Sequence, residues 1–235
     1  MKKRIMLFIT LAAFAFADGG QKGSFTDPRD GKTYKTVKIG NQVWMAENLN
    51  YKTANSYCYK GNPDNCAKYG RLYTWSAAMD SAGVFSQDGV GCGFGKECKP
   101  RGRIRGVCPK GWHLPSSKEW EILFKAVGGK YREEEERGYT LRYYSVADKK
   151  LKSQSGWENH SNGTDDFDFS VLPVGARTDD GEYYAVGKGA YFWLPVEFLG
   201  PGAYYWGFDT TGEDVFLNVN YKNSGLCVRC IKDYD

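Results

Sequence analysis

An α+β fold in which much of the chain is loop is predicted by three observations. A hairpin signal stands near the start, two segments of helical period follow it, and the second half consists of short aromatic and β-branched runs cut by Gly, Pro and Asn. Tyr34-Lys35-Thr36-Val37-Lys38-Ile39 and Gln42-Val43-Trp44-Met45 flank Gly40-Asn41, a two-residue turn of the kind that joins antiparallel strands. Trp75, Ala78, Met79 and Ala82 recur at helical spacing, and Gly83 is placed to end that helix. The second helix carries a capping box, Ser116 with Glu119, then one apolar face of Trp120, Leu123, Phe124 and Val127, and Gly128-Gly129 as a stop. Phe167–Val171, Ala190–Leu194, Ala203–Trp206 and Val215–Val219 are strand candidates. The block from Arg132 to Arg137, with four glutamates between its arginines, reads as a solvated loop or a helix end rather than an acidic binding site.

The N-terminus decides how the cysteines are read. Lys2, Lys3 and Arg4 precede an almost unbroken apolar run, Ile5 to Ala17, and Ala15-Phe16-Ala17 supplies a small-x-small cleavage site, so residues 1–17 read as a signal peptide. The run is shorter than the about 20 residues of a membrane span, and no cysteine follows it to carry a lipid. The product is expected to be secreted, periplasmic or held at the cell surface. Loss of the three leader cations brings the formal net charge of +4 close to neutrality, which gives a nucleic-acid partner no support. With 41% hydrophobic and 16% aromatic residues the chain can bury a sizeable core. No low-complexity linker interrupts it, so after a short segment at 18–24 residues 25–233 read as a single domain.

Seven cysteines in an exported chain imply a disulfide framework with one thiol left over. Cys58 with Cys66 and Cys92 with Cys98 would each close a small loop rich in turn residues. Cys108 remains, with Cys227 or Cys230 as its partner. In an extended segment Leu226, Val228 and Cys230 share one face while Cys227 and Arg229 take the other, which favours Cys108–Cys230 and leaves Cys227 as a free thiol. The competing reading makes Cys227-x-x-Cys230 a redox or metal pair. On a strand, however, residues three apart point to opposite faces, and redox pairs of this spacing usually open a helix.

Several of these segments resemble the Fibrobacter succinogenes major paralogous domain family. They are Phe25-Thr26-Asp27-Pro28-Arg29-Asp30-Gly31-Lys32-Thr33-Tyr34 through Gly40, Trp44-Met45-Ala46-Glu47-Asn48-Leu49-Asn50, Tyr69-Gly70-Arg71-Leu72-Tyr73-Thr74-Trp75, Cys108-Pro109-Lys110-Gly111-Trp112-His113-Leu114-Pro115, Leu151-Lys152-Ser153, Gly156-Trp157 and Val228-Arg229-Cys230-Ile231-Lys232-Asp233. The resemblance covers about residues 25 to 233. More distantly, Gly111–Pro115 with Glu119-Trp120-Glu121 is similar to a segment of formylglycine-generating-enzyme-like domains. That similarity implies a C-type-lectin-like fold: two helices, a small twisted antiparallel sheet joining both ends of the domain, and long disulfide-stapled loops. The closing motif of the family has Ser where this chain has Cys227. Against the family pattern, residues 130–147 resemble an insertion or a divergent loop, and residues 194–202 depart from the polar stretch expected there.

Neither the resemblance nor the fold it implies supplies a reaction. Gly-x-Ser-x-Gly, His-Glu-x-x-His and phosphate-loop motifs are absent from the sequence. His113 sits in a Trp/Leu/Pro motif as a packed residue would, and His160 in a polar stretch. Paired carboxylates could hydrolyse glycosides, but 28 acidic residues nominate no pair. Asp165, Asp166 and Asp168 cluster oxygen ligands as a calcium candidate without EF-hand spacing, and a turn before the next strand accounts for the same residues. No other cofactor is expected. The aromatic residues 183–208 are the main functional signal, with Trp193, Tyr204, Tyr205 and Trp206 the candidates for stacking on sugar rings. Aromatic residues also fill cores, and Tyr205 and Trp206, being adjacent, predict that only one faces inward. The expected role is an exported, non-catalytic binding or interaction domain, with polysaccharide or a surface protein as partner. The alternatives are a structural envelope protein and a thiol oxidase using Cys227 and Cys230, with copper.

Overall fold

The computed structural model describes residues 20–136, 138–212 and 214–234, so the expected signal peptide lies outside the described residues. The chain opens with β1 (Gln21–Thr26), β2 (Thr33–Ile39) and β3 (Gln42–Met45), a meander in which Gly40, at φ 60°, supplies the left-handed conformation of the expected turn. Next come β4 (Ser56–Tyr57), α1 (Pro63–Tyr69), β5 (Leu72–Tyr73) and α2 (Trp75–Ala78). Helix α1 starts on an Asn62 cap with Pro63 in its first turn, a start signal that the sequence displays as Asn-Pro-Asp. Helix α2 is shorter than the Trp75–Ala82 spacing predicts. Asp80, at φ 56°, breaks it and accepts hydrogen bonds from the backbone N–H groups of Val84, Phe85 and Ser86 at 2.9, 2.6 and 2.7 Å.

Strand β6 (Trp112–His113) leads into α3 (Ser117–Ala126), whose capping box forms as expected: Ser116 caps the Glu119 N–H, and Ser116 N–H donates to the Glu119 carboxylate. Then follow β7 (Lys130–Glu136), β8 (Tyr139–Ser145), α4 (Ala147–Leu151), β9 (Ala176–Arg177), β10 (Tyr183–Tyr184), β11 (Gly189–Phe198), β12 (Gly202–Asp209), β13 (Asp214–Tyr221), β14 (Leu226–Cys227) and β15 (Ile231–Lys232). One sheet has the order β1-β2-β3-β15-β6, a second β4-β5-β14-β11-β12-β13-β8-β7, and β9 pairs with β10.

This architecture corrects the expected two-helix, C-type-lectin-like α+β fold. Strand predominates, in sheets of five and eight strands, and the α-helices among the described residues are short. The physical reason lies partly in residues 130–147. They form a β-hairpin that extends the larger sheet, with Glu133 facing Arg142 across it, and a strand made of consecutive glutamates shows no alternation of polar and apolar residues to betray it. The candidate strand Phe167–Val171 is instead a turn. Asp165, Asp168 and Ser170 have positive φ, and the Asp165 carboxylate accepts from Ser170 N and Oγ at 2.8 and 2.5 Å.

Two hydrophobic clusters take alternate residues of the central strands. Phe192 and Leu194 of β11 and Trp206 and Phe208 of β12 join Trp44, Trp120 and Phe124 in one cluster. Trp193, Ala203 and Tyr205 join Trp75, Met79, Trp112 and Leu114 in the other. The last residues of the chain pass between these clusters. Leu226, Val228 and Cys230 fall in the second, Cys227 and Ile231 in the first, as strand alternation predicts. Arg229 is fully buried and carries its own set of hydrogen bonds: Nε and Nη2 donate to Asn48 Oδ1 at 3.0 and 2.6 Å, and Nη1 donates to Phe169 O at 2.6 Å. The expected disulfides Cys58–Cys66, Cys92–Cys98 and Cys108–Cys230 are all present, and Cys227 is the free, buried cysteine.

A buried ion pair marks the floor of the first cluster. Lys152 Nζ donates to Asp148 Oδ2 at 2.9 Å and to Asp209 O at 2.7 Å, and lies 4.2 Å from the centroid of the Trp157 ring. Asp148 Oδ1 has no hydrogen-bond partner among the described residues.

Cys108–Cys230 closes a loop of sequence separation 122, against 6 for Cys92–Cys98. Loop-closure entropy assigns about 5 kcal/mol to the former and about 2 kcal/mol to the latter. In urea unfolding the Cys108→Ser/Cys230→Ser variant is therefore expected to lose about twice the stability lost by Cys92→Ser/Cys98→Ser, and equal losses would contradict the staple's dominance. Burial pushes the Asp148 carboxyl up from 3.8 to about 7, against the opposing Lys152 ammonium. A carboxyl raised on folding contributes stability that is present below its unfolded pKa and lost as pH rises through the folded value. Asp148→Asn is thus expected to flatten the decline in unfolding free energy between about pH 4 and about pH 7, and an unchanged slope in pH-dependent denaturation would refute the assignment.

Candidate binding surfaces

The candidate aromatic residues do not form one exposed face. Trp193 is buried and its Nε1 donates to Tyr73 O at 2.8 Å, while Trp206 is 0% exposed and packs edge-on to Phe124 at 5.1 Å. A buried indole offers no face to a sugar ring, so neither is a stacking residue. Tyr204 is half-buried against Phe198, ring centroids 5.3 Å apart. The expectation that only one of Tyr205 and Trp206 faces inward is also corrected. Both are buried, because the larger sheet has a hydrophobic cluster on each side of β12.

Tyr205 nevertheless leads to a surface. It belongs to a ladder of rings that crosses β11 to β13 and ends on β10: Tyr184 to Tyr191 at 6.3 Å, Tyr191 to Tyr205 at 5.5 Å, and Tyr205 to Phe216 at 6.2 Å between centroids. Three of its rings stand on consecutive strands of the larger sheet, β11, β12 and β13, whereas Tyr184 lies on β10, which pairs with β9. Tyr191 and Phe216 both pair with Gly207 of β12, and Tyr205 pairs with Asn218 of β13. Gly207 is required here, since a Cβ at that position would collide with the Phe216 ring. Tyr184 is 39% exposed, Tyr191 and Phe216 are partly exposed, and Tyr205 is 8% exposed between them. Amides border the rings: Asn218 alternates with Phe216 on β13, and Asn220 hydrogen-bonds Tyr184. Burial raises the Tyr184 hydroxyl above the usual tyrosine range and the Tyr191 hydroxyl up to about 12, so both stay protonated as hydrogen-bond donors at neutral pH. Aromatic faces edged by neutral hydroxyls and amides can hold a ring that is apolar on its faces and hydroxylated at its rim. Tyr184 and Tyr191 fall within the aromatic stretch 183–208 but not among its four stacking candidates, and Phe216 lies outside it. Tyr191 and Phe216 are brought alongside Tyr205 by pairing register, which the sequence does not display.

The calcium candidate resolves into a turn. Asp165 is engaged by Ser170, and Asp168 forms an ion pair with Lys22 at 2.7 Å. Among the described residues no group of three or more His, Cys, Asp or Glu is disposed to hold a metal ion. The redox reading of Cys227 and Cys230 also fails, because Cys230 is bonded to Cys108. Burial pushes the Cys227 thiol up to about 12 against the nearby Arg229 charge, which leaves it without thiolate character at neutral pH. His113 is buried between two carboxylates, with Nε2 2.8 Å from Glu119 Oε1 and Nδ1 2.7 Å from Asp233 Oδ1, and so ties β6 and α3 to the C-terminal segment.

Two further clefts meet at Lys32 and Ala67. One, of about 510 Å3, is lined by Lys22, Lys35 and Lys68 with Glu47 and Asp168. The other, of about 710 Å3, runs past Lys52, Arg71, Tyr57 and Tyr183 over the Cys58–Cys66 disulfide.

A strand-rich fold stapled by three disulfides, presenting an aromatic ladder and open clefts, defines a domain of extracellular type. Residues 37–232 match the Fibrobacter succinogenes major domain, and the chain belongs to that family. No curated protein and no solved structure matches it.

The core and surface aromatics are separable by mutation. Trp206→Ala is expected to cost about 3–5 kcal/mol of stability, and Tyr184→Ala less than about 1 kcal/mol. Chemical denaturation of both variants checks this, and comparable losses would place Tyr184 in the core rather than on the surface.

Proposed function

We propose that residues 25–233 act as a single exported, non-catalytic binding domain that recognises neutral carbohydrate at or outside the cell surface. The observation that carries this reading is the ladder Tyr184–Tyr191–Tyr205–Phe216, edged by Asn218 and Asn220. A saccharide ring stacks on such faces by dispersion and by release of ordered water, while the amides and hydroxyls accept from and donate to its hydroxyl groups. The ladder spans several rings of a row, which suits a chain of sugar units better than an isolated monosaccharide. Tyr191, Tyr205 and Phe216 stand on the paired strands β11, β12 and β13, so little of their side-chain entropy remains to be lost on binding.

The test is a binding screen of the chain against soluble and insoluble neutral polysaccharides, with product analysis on the same samples. Saturable binding without released oligosaccharide is expected. Tyr184→Ala and Tyr191→Ala are each expected to weaken it about ten-fold, equivalent to about 1.4 kcal/mol. Release of new chain ends would replace the reading with an enzyme. Absence of binding to every polysaccharide would favour a structural envelope role.

A further inference from the structure

The two clefts that meet at Lys32 are unlike the ladder in chemistry. Lys22, Lys32, Lys35, Lys52, Lys68 and Arg71 line them, against only Glu47 and Asp168. The chain as a whole carries a formal net charge of only +4, so this concentration of cations is local. Lys22 is paired with Asp168, and none of the other five lies in an ion pair with a carboxylate among the described residues. Arg71 is held in place without being neutralised: its Nε donates to Ser56 Oγ at 3.0 Å and its Nη2 to Ser56 O at 2.9 Å. Burial lowers the Lys32 ammonium below the usual lysine range, with Glu47 and Asp30 opposing. An anion arriving in the cleft would therefore relieve an unfavourable charge as well as gain contacts.

We propose that the joined clefts form a second binding site, separate from the ladder, for a carboxylate-bearing polysaccharide chain such as a polyuronate. Three features select this ligand class. The cations are distributed along two connected clefts rather than converging on one point, which suits a polymer with charges at intervals over a single small anion. Tyr57 and Tyr183 lie in the lining, and Tyr183 is braced by Tyr59 with ring centroids 5.1 Å apart, so ring surface is offered next to charge. Glu47 and Asp168 stand among the lysines, where they would repel a densely charged phosphate polymer more than a chain bearing one carboxylate per sugar. Strand β10 relates the two sites. Tyr183 turns to the cleft and its neighbour Tyr184 to the ladder, as adjacent strand residues do.

Affinity electrophoresis of the full chain through gels containing polygalacturonate, a neutral glucan or inorganic polyphosphate tests the proposal. Lys35, Lys52 and Lys68 are all exposed, so the triple variant Lys35→Gln/Lys52→Gln/Lys68→Gln is expected to fold normally, which its melting temperature verifies. The expected result is retardation of the native chain by polygalacturonate that weakens with added salt, and at least about ten-fold weaker binding by the triple variant. Tyr184→Ala and Tyr191→Ala are expected to leave polygalacturonate binding intact, so that failure of the ladder and failure of the cleft are read separately. The proposal is overturned if polygalacturonate does not retard the native chain, if the triple variant binds it equally well, or if polyphosphate binds more tightly.

Discussion

Arg229 is a guanidinium buried with no carboxylate beside it, and the arrangement of the molecule follows from the need to satisfy it. Taking such an ion out of water costs several kcal/mol, so it persists only where oxygen acceptors are already in place. Here they come from distant parts of the chain: Asn48 Oδ1 just after the first hairpin, and the carbonyl oxygens of Phe169 and, at 3.4 Å, of Met45 and Ser170. The rings of Phe169 and Phe192 lie 4.7 and 5.4 Å from the guanidinium carbon and add cation–π attraction. Burial lowers the guanidinium to about 10, which still leaves it charged at neutral pH. Asn48 serves both neighbours of this segment, since its Nδ2 donates to Tyr69 O at 2.9 Å and lies 3.6 Å from Cys227 Sγ. The irregular turn at 165–170 makes sense in this light: a strand there would commit its carbonyls to a sheet, whereas a turn presents them to Arg229.

That one residue sits in a segment that belongs to both sheets. β14 pairs with β5 and β11 in the larger sheet, and β15 pairs with β3 and β6 in the smaller. Cys230 lies between them, bonded to Cys108, whose loop leads into β6 and α3. His113, Glu119 and Asp233 close the same junction from the polar side. Burial would by itself push the Glu119 carboxyl up, but hydrogen bonds from His113 and Ser116 hold it down at about 2. The charge is thus kept in the ionised form that the helix cap requires. Two sheets, two hydrophobic clusters and a disulfide are therefore registered by seven consecutive residues.

The aromatic ladder is tied to this junction through β14, which pairs with β11, the strand that carries Tyr191. The larger sheet is covered on both sides at β11 and β12, so Trp193 and Trp206 fill clusters, while Tyr205 belongs both to the second cluster and to the ladder. The ladder rings are positioned by cross-strand pairing, not by loops that must order on binding. The larger of the basic clefts is lined by the Cys58–Cys66 loop and α1, which Asn62 caps, with Arg71 held beside them by Ser56. A neutral aromatic surface and a cationic one thus lie on opposite sides of a single short strand, β10.

Short-range physics made part of this legible in the residues alone. The Gly40-Asn41 hairpin and the capping box of α3 follow from turn chemistry and helical period, each set by neighbours within a few positions; cysteine spacing and strand alternation favour the three disulfides, and the family resemblance rests on ordered sequence motifs. Alternation also separated Cys227 and Arg229 from Cys230, although it could not say that both sides of that segment are buried. The tertiary structure decided what depends on distant partners. It turned a glutamate-rich run into a strand of the larger sheet, broke the first helix at Asp80, and took Trp193 and Trp206 into the interior. It also brought Tyr184, Tyr191 and Phe216 alongside Tyr205. An aromatic residue carries the same propensity for a strand whether its ring faces a cluster or solvent. Only the sheet that packs, or does not pack, on that side determines which.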